Sequence, residues 1–148
     1  MHSLTRRQFL PTSGAFACLS AGARFAGTAP TTLNARQSDV QLLPGDYGQT
    51  SLWCFEGRSP GPEIHVAQGE RVQRRLVNRL AQGTSTHWHG IRIDNAMDGV
   101  SGLTQDAVQP GATFDYDFTV PDAGTYWYHA HNRSFEQVAW GLYGALIV

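Results

Sequence analysis

"GTYWYHAHN", residues 124–132, alternates two kinds of side chain. Trp127, His129 and His131 fall on one parity, and Tyr126, Tyr128 and Ala130 on the other. A two-residue period of this kind is the mark of an extended strand whose faces meet different surroundings. Read as a strand over 124–131, the segment sends two imidazoles to one side and two phenols to the other. A second stretch, "TSTHWHG" at 84–90, repeats the motif with His87 and His89 around Trp88. Side chains two apart in an extended backbone point the same way, with Cβ atoms ~7 Å apart. Each pair therefore offers two rings in one direction.

Outward from these segments the chain reads as short β-type runs broken by turn residues. Strands are expected at about 39–43, 51–56, 62–67, 70–79, 86–93, 112–120, 124–131 and 143–148. Turn chemistry separates them at "PGDYG" (44–48), "RSPGP" (58–62), "QPG" (109–111) and "PDAG" (121–124). In "ATFDYDFTV" (112–120) Phe114, Tyr116, Phe118 and Val120 share a face, with Asp115, Asp117 and Thr119 opposite. That is a half-buried antiparallel strand with its apolar side inward. Residues 27–38 read as a polar connector. "SFEQVAWGL" (134–142) is the one stretch suited to a short helical turn. The expected fold class is all-β, a Greek-key β-sandwich. At 148 residues there is room for one such domain and not for two.

The N-terminus, "MHSLTRRQFLPTSGAFACLSAGARFAGTAP", carries Arg6 and Arg7 ahead of a mildly apolar stretch and then small residues. It reads as a twin-arginine export signal over 1–29, with "AGA" (21–23) among several cleavage sites up to Ala29. The apolar part is too short to span a membrane. The expected location is the bacterial periplasm or the outside of the cell. Beyond residue 24, eight arginines against twelve acids leave a balance of about −4. No basic patch for nucleic acid survives. Cys18 falls in the signal, so Cys54 in "LWCFEG" stands alone and reads as a small buried hydrophobe.

Four of the six histidines sit in the two pairs. Imidazole suits copper, zinc and iron. His87, His89, His129 and His131, converging from two strands, are the candidate metal ligands. His65 in "EIHVAQGE" has no partner in sequence and reads as a surface residue on a strand. A structural zinc site could also be closed by four histidines.

Four stretches carry a resemblance to a known family: "WCFEGRSPGPEIHVAQGERV", "THWHGIRIDNAMDGV", "QPGATFDYDFTVPDAGTYWYHAH" and "GLYGALIV". Together they resemble the N-terminal, cupredoxin-type domain of the laccase-like multicopper oxidases, with the nearest look to bacterial members. The resemblance implies an oxidoreductase with copper as cofactor and dioxygen as acceptor. It implies His87 on a type 2 copper, His89 on one of two type 3 coppers, and His129 and His131 one to each of that pair. It implies for Asp98, in "NAMDGV", a role in passing protons toward bound oxygen; otherwise Asp98 is a turn residue before Gly99. Trp88 and Trp127 are expected to pack as walls around the imidazoles.

The resemblance also implies missing parts. In the family the cluster takes eight imidazoles, four from the last domain, which also holds the type 1 copper in a His-Cys-His segment. This sequence has no such segment. The expected partners are C-terminal oxidase domains or a second chain supplying them, with a small reducing substrate of unspecified kind. The chain reads as a fragment inactive alone. Two rivals remain: a periplasmic copper-sequestering module without turnover, and a cupin-type metalloenzyme. The second is weakened because no glutamate follows the first pair before Glu136.

Overall fold

The computed structural model describes residues 29–148, so the expected export signal lies outside the described residues except for its last position. Eight strands run in order: β1 (Thr31–Val40), β2 (Thr50–Phe55), β3 (Ile64–His65), β4 (Arg71–Asn78), β5 (Thr86–His89), β6 (Thr113–Thr119), β7 (Thr125–Ala130) and β8 (Tyr143–Ile147). The one α-helix among the described residues, α1 (Ser134–Gln137), is a single turn where the sequence suited one. A 3-10 turn, Asn95–Met97, lies between β5 and β6, with the Asp94 carboxylate accepting from Ala96 N–H at 2.9 Å.

The strands form two four-stranded sheets, ordered β2-β1-β4-β6 and β3-β8-β7-β5. Two of the pairings, β1–β4 and β3–β8, are parallel; the rest are antiparallel. The inner faces meet in one core. Leu33, Ala35, Phe55, Val72, Leu76, Tyr116 and Phe118 come from the first sheet, and Ile64, Trp88, Tyr128, Ala130 and Leu146 from the second. Trp88 bridges the layers, its ring centroid 5.6 Å from that of Tyr116 and 4.9 Å from that of Phe118. Burying the large aromatic side chains is the dominant favourable term here, because each removes 150–250 Å² from water, roughly.

Close approach sets the second sheet's thickness at one point. A Cβ at Gly144 of β8 would collide with the Tyr128 ring of β7, so glycine alone lets Tyr128 lie flat across the sheet. Its hydroxyl then donates to the Pro62 carbonyl at 2.7 Å. The far edge is closed by Trp53 N–H donating to Trp140 O at 3.1 Å, with the two indoles stacked 5.8 Å apart.

The outer face of the first sheet is charged, as the alternation in β6 requires. Arg75 pairs with Asp115 at 2.6 Å and Arg71 with Asp117 across the β4–β6 ladder. The guanidiniums hold both carboxyls below their usual range. Such exposed pairs set register more than they add stability.

Two expectations need correction. The polar connector at 27–38 is not a connector: Thr31–Val40 is a ten-residue strand bonded to both β2 and β4. Only Leu33 and Ala35 of it are buried, so its apolar signal is too sparse to read, and its order comes from backbone hydrogen bonds on both sides. The strands expected at 62–67 and 86–93 are shorter, at Ile64–His65 and Thr86–His89. Cys54 is buried as expected, and burial pushes its thiol up.

Candidate metal centre

The centre is built on the antiparallel pair β5–β7. Their register places His87 directly opposite His129, Trp88 opposite Tyr128, and His89 opposite Trp127. Alternation then divides the pair. Trp88, Tyr128 and Ala130 are fully buried in the core, while the four histidines and Trp127 lie on the opposite face. Trp88 is therefore no wall around the imidazoles, contrary to expectation; it sits behind them. Trp127 does flank them, its ring 4.1 Å from that of His129 and 5.2 Å from that of His89.

Direct opposition of His87 and His129 staggers the two pairs. The His87 and His129 rings are 5.3 Å apart at the centre. His89 lies to one side, 5.4 Å from His87 and 5.5 Å from His129. His131 lies to the other, 5.2 Å from His87 and 5.8 Å from His129. The four rings thus form two triangles sharing the His87–His129 edge. In the first, one ligand atom from each of His87, His89 and His129 falls within 4.8 Å of the others. Exposure is graded: His129 is 6% exposed, His87 and His131 are half-buried, and His89 is open to solvent.

Two backbone carbonyls fix ring orientation. His87 Nδ1 lies 2.7 Å from Asp98 O, and His129 Nδ1 lies 2.9 Å from Ala130 O. A carbonyl only accepts, so each Nδ1 carries the proton and each Nε2 keeps its lone pair. His129 Nε2 faces His89 Nδ1 at 3.4 Å. The Asp98 carboxylate also approaches His87 Nδ1, at 3.3 Å. Burial pushes the His129 imidazole down to about 4; its bond to Ala130 acts the other way, and the other three rings add to the fall. His129 is thus neutral near pH 7, the form that ligates metal.

Asp98 reaches β5 because Gly99 permits it. Gly99 has φ +78° and lies against the β5 backbone, where a Cβ would overlap the Thr86 carbonyl. The Thr86 N–H donates to Tyr116 Oη at 2.9 Å, which in turn donates to Gln105 Oε1 at 3.0 Å. Strand β6 thus holds β5 from the core side, and the loop after β5 holds it through the Thr86–His87 backbone and the His87 ring.

All four predicted histidines come together, and Asp98 joins them through His87. His65 does not; it is exposed on β3 beside Glu63. The carbonyls of Asp98 and Ala130 were invisible to sequence reading, since every residue has one. The donor set suits a borderline metal: four imidazoles, of which His87 and His129 are pinned through Nδ1 with Nε2 left to face an ion.

Comparison with known proteins agrees. The multicopper oxidase family model matches residues 36–148. Copper resistance protein A of Pseudomonas syringae pv. tomato is 46% identical over 95 residues, covering 64% of this chain and 15% of the relative. Copper resistance protein A of Escherichia coli is 33% identical over 156 aligned positions, covering 97% of this chain and 26% of the relative. The crystal structure of a multi-copper oxidase from Pseudomonas thermotolerans superposes with TM-score 0.74 at 43% identity, covering 82% of this chain and 30% of that one. The chain thus spans about a quarter or less of the length of these curated relatives. Among the described residues no helix is long and apolar enough to cross a membrane. By sequence, by fold and by the metal named in its relatives, the chain belongs to the multicopper oxidase family, whose cofactor is copper.

Proposed function

We propose that residues 30–148 are the first domain of a multicopper oxidase and supply half of its trinuclear copper cluster. Residues 1–29 direct export by the twin-arginine route to the periplasm or beyond. The observation that carries the reading is the doubled triangle of imidazoles. Four imidazole donors on one face can serve more than one ion, whereas one closed tetrahedral site would need all four rings around a single point. His87 is the type 2 ligand and His89, His129 and His131 the type 3 ligands, with the remaining ligands and the type 1 centre coming from other domains or a second chain.

Copper in such a cluster supplies one-electron redox chemistry, by which dioxygen is reduced to water while a small substrate is oxidised. The residues of this chain bind, orient and handle protons. Asp98 O and Ala130 O hold the His87 and His129 rings in a fixed tautomer. The Asp98 carboxylate, partly open to solvent and 3.3 Å from His87 Nδ1, can hold a proton and exchange it with water. Trp127 excludes water from one side of His129.

Four imidazoles do not complete a three-copper site, so the 148-residue chain alone should bind one copper weakly and turn over nothing. Copper titration followed by equilibrium dialysis, with oxygen uptake on a phenolic or diamine substrate, tests this. The expected result is saturable binding, lost in His87→Ala and His129→Ala, without oxygen uptake. Oxidase turnover by the purified chain with no other protein present would refute the half-cluster reading.

A further inference from the structure

Strand β4 contains one residue that its position does not account for. Val72, Leu76 and Asn78 point into the core and are fully buried. Arg74 lies on the same parity, between Val72 and Leu76, and so points inward between the sheets. Inward charges are a known guard on edge strands, but β4 is flanked by β1 and β6 and has no free edge. The guanidinium makes one protein hydrogen bond, Nη1 to Gln73 O at 2.8 Å. Among the described residues it forms no ion pair. The segment before β1 supplies none either, since residues 1–30 contain no Asp or Glu. Burial pushes the Arg74 pKa down. A half-buried cation with no carboxylate within salt-bridge range is costly to keep.

Arg74 opens into a cavity of about 400 Å³ between the sheets, lined also by Thr31, Leu33, Glu56, Glu63 and Ile64. Small-ligand sites begin at roughly this size. Its walls are of three kinds: one guanidinium, two carboxylates, and an apolar side of Leu33 and Ile64. Glu56 is held there at a conformational cost. Among the described residues it is one of two non-glycine residues with positive φ, at 53°. Its Oε1 accepts from Asn34 N and Nδ2 at 2.6 and 2.8 Å, and among the described residues its Oε2 has no hydrogen-bond partner.

We propose that this cavity binds a small zwitterion, an α-amino acid with an aliphatic side chain. The ligand carboxylate lies against Arg74, where two parallel N–H···O bonds can form. The ammonium faces Glu56 and Glu63, and the side chain lies on Leu33 and Ile64. A dianion is disfavoured by the two acids, and a plain cation by Arg74. The site is on the β3–β4 side of the sandwich and is independent of the histidine cluster.

The test uses the full 148-residue chain and two-dimensional NMR titrations with L-leucine, acetate and leucine amide. Leucine should give saturable shifts at Arg74 Nε–H and the Ile64 methyls, with acetate and leucine amide each at least about tenfold weaker. Arg74→Gln should weaken leucine at least about tenfold. Because that change also removes a half-buried side chain between the sheets, Glu63→Gln, at an exposed position, serves as a second variant and should narrow the preference for leucine over acetate. The proposal is overturned if leucine produces no saturable shift, if acetate or the amide binds as well as leucine, or if both variants bind leucine like the parent chain.

Discussion

Replacing Gly99 by alanine should damage the metal centre from behind, without touching a ligand. The added Cβ would overlap the Thr86 carbonyl oxygen and stand 2.6 Å from its carbon and 3.0 Å from His87 N. All of these are backbone atoms in a paired strand and cannot swing aside. Relief requires the Asp98–Gly99 segment to withdraw by about 1 Å, a typical overpacking response. The Asp98 O···His87 Nδ1 bond starts at 2.7 Å, so that movement carries it beyond hydrogen-bond range. Alanine must also hold φ near +78°, which costs roughly 1–2 kcal/mol. Overpacking adds roughly 1–3 kcal/mol, giving a total near 2–5 kcal/mol. For a domain of this size the melting temperature should fall by roughly 5–20 °C. Freed from its carbonyl, His87 should bind copper about 10–100-fold more weakly. Gly102→Ala is the control, because Gly102 shares the backbone geometry (φ +80°) but has nothing within 4 Å of its added Cβ. It should lose only the backbone part in thermal unfolding and nothing in copper titration. Equal behaviour of the two variants in both assays would refute the account of Gly99 as the support of His87.

Stability should also depend on pH through His129. Its folded pKa, about 4, lies below the ordinary 6.5, so its contribution is complete above pH 6.5 and fades as pH falls toward 4. Urea midpoints measured from pH 7.5 to 4 should decline over that window, and less steeply in His129→Gln; parallel curves would count against it. The two tryptophans beside the histidines should separate stability from binding. Trp88→Ala, in the core, should cost about 3–5 kcal/mol in denaturant unfolding, while Trp127→Ala, 38% exposed, should leave the midpoint nearly unchanged and weaken copper binding. The reverse pattern would mean that the face of each ring has been misread.

What could be read from the sequence follows from how much each element depends on its own residues. β6 and β7 were legible because their alternation is complete: every second side chain is apolar or aromatic and every one of those faces the core. β1 was not. Its order is imposed by neighbours that lie in sequence beyond it, and its polar residues face water on a sheet with one wet side. The clustering of the four histidines was legible because their spacing is itself the geometry. The stagger that makes two triangles of them was not, since it depends on which residue of β5 faces which of β7. Asp98 was singled out for its carboxylate, yet its shortest contact with His87 is through the carbonyl, which no residue name reveals. The wall role expected of Trp88 failed on parity alone: a residue between two ligands on a strand must point away from them.

The β5–β7 register has a consequence for how the site is inherited and loaded. Sliding one strand past the other by a single residue would bring imidazoles into the core and expel Trp88 or Tyr128 into water. Selection for a sound interior therefore guards the ligand geometry as well, even while no ion is present. An ion arriving at the cluster would meet rings already aimed, with Trp127 and the exposed His89 at its margin, and would need no rearrangement of the backbone.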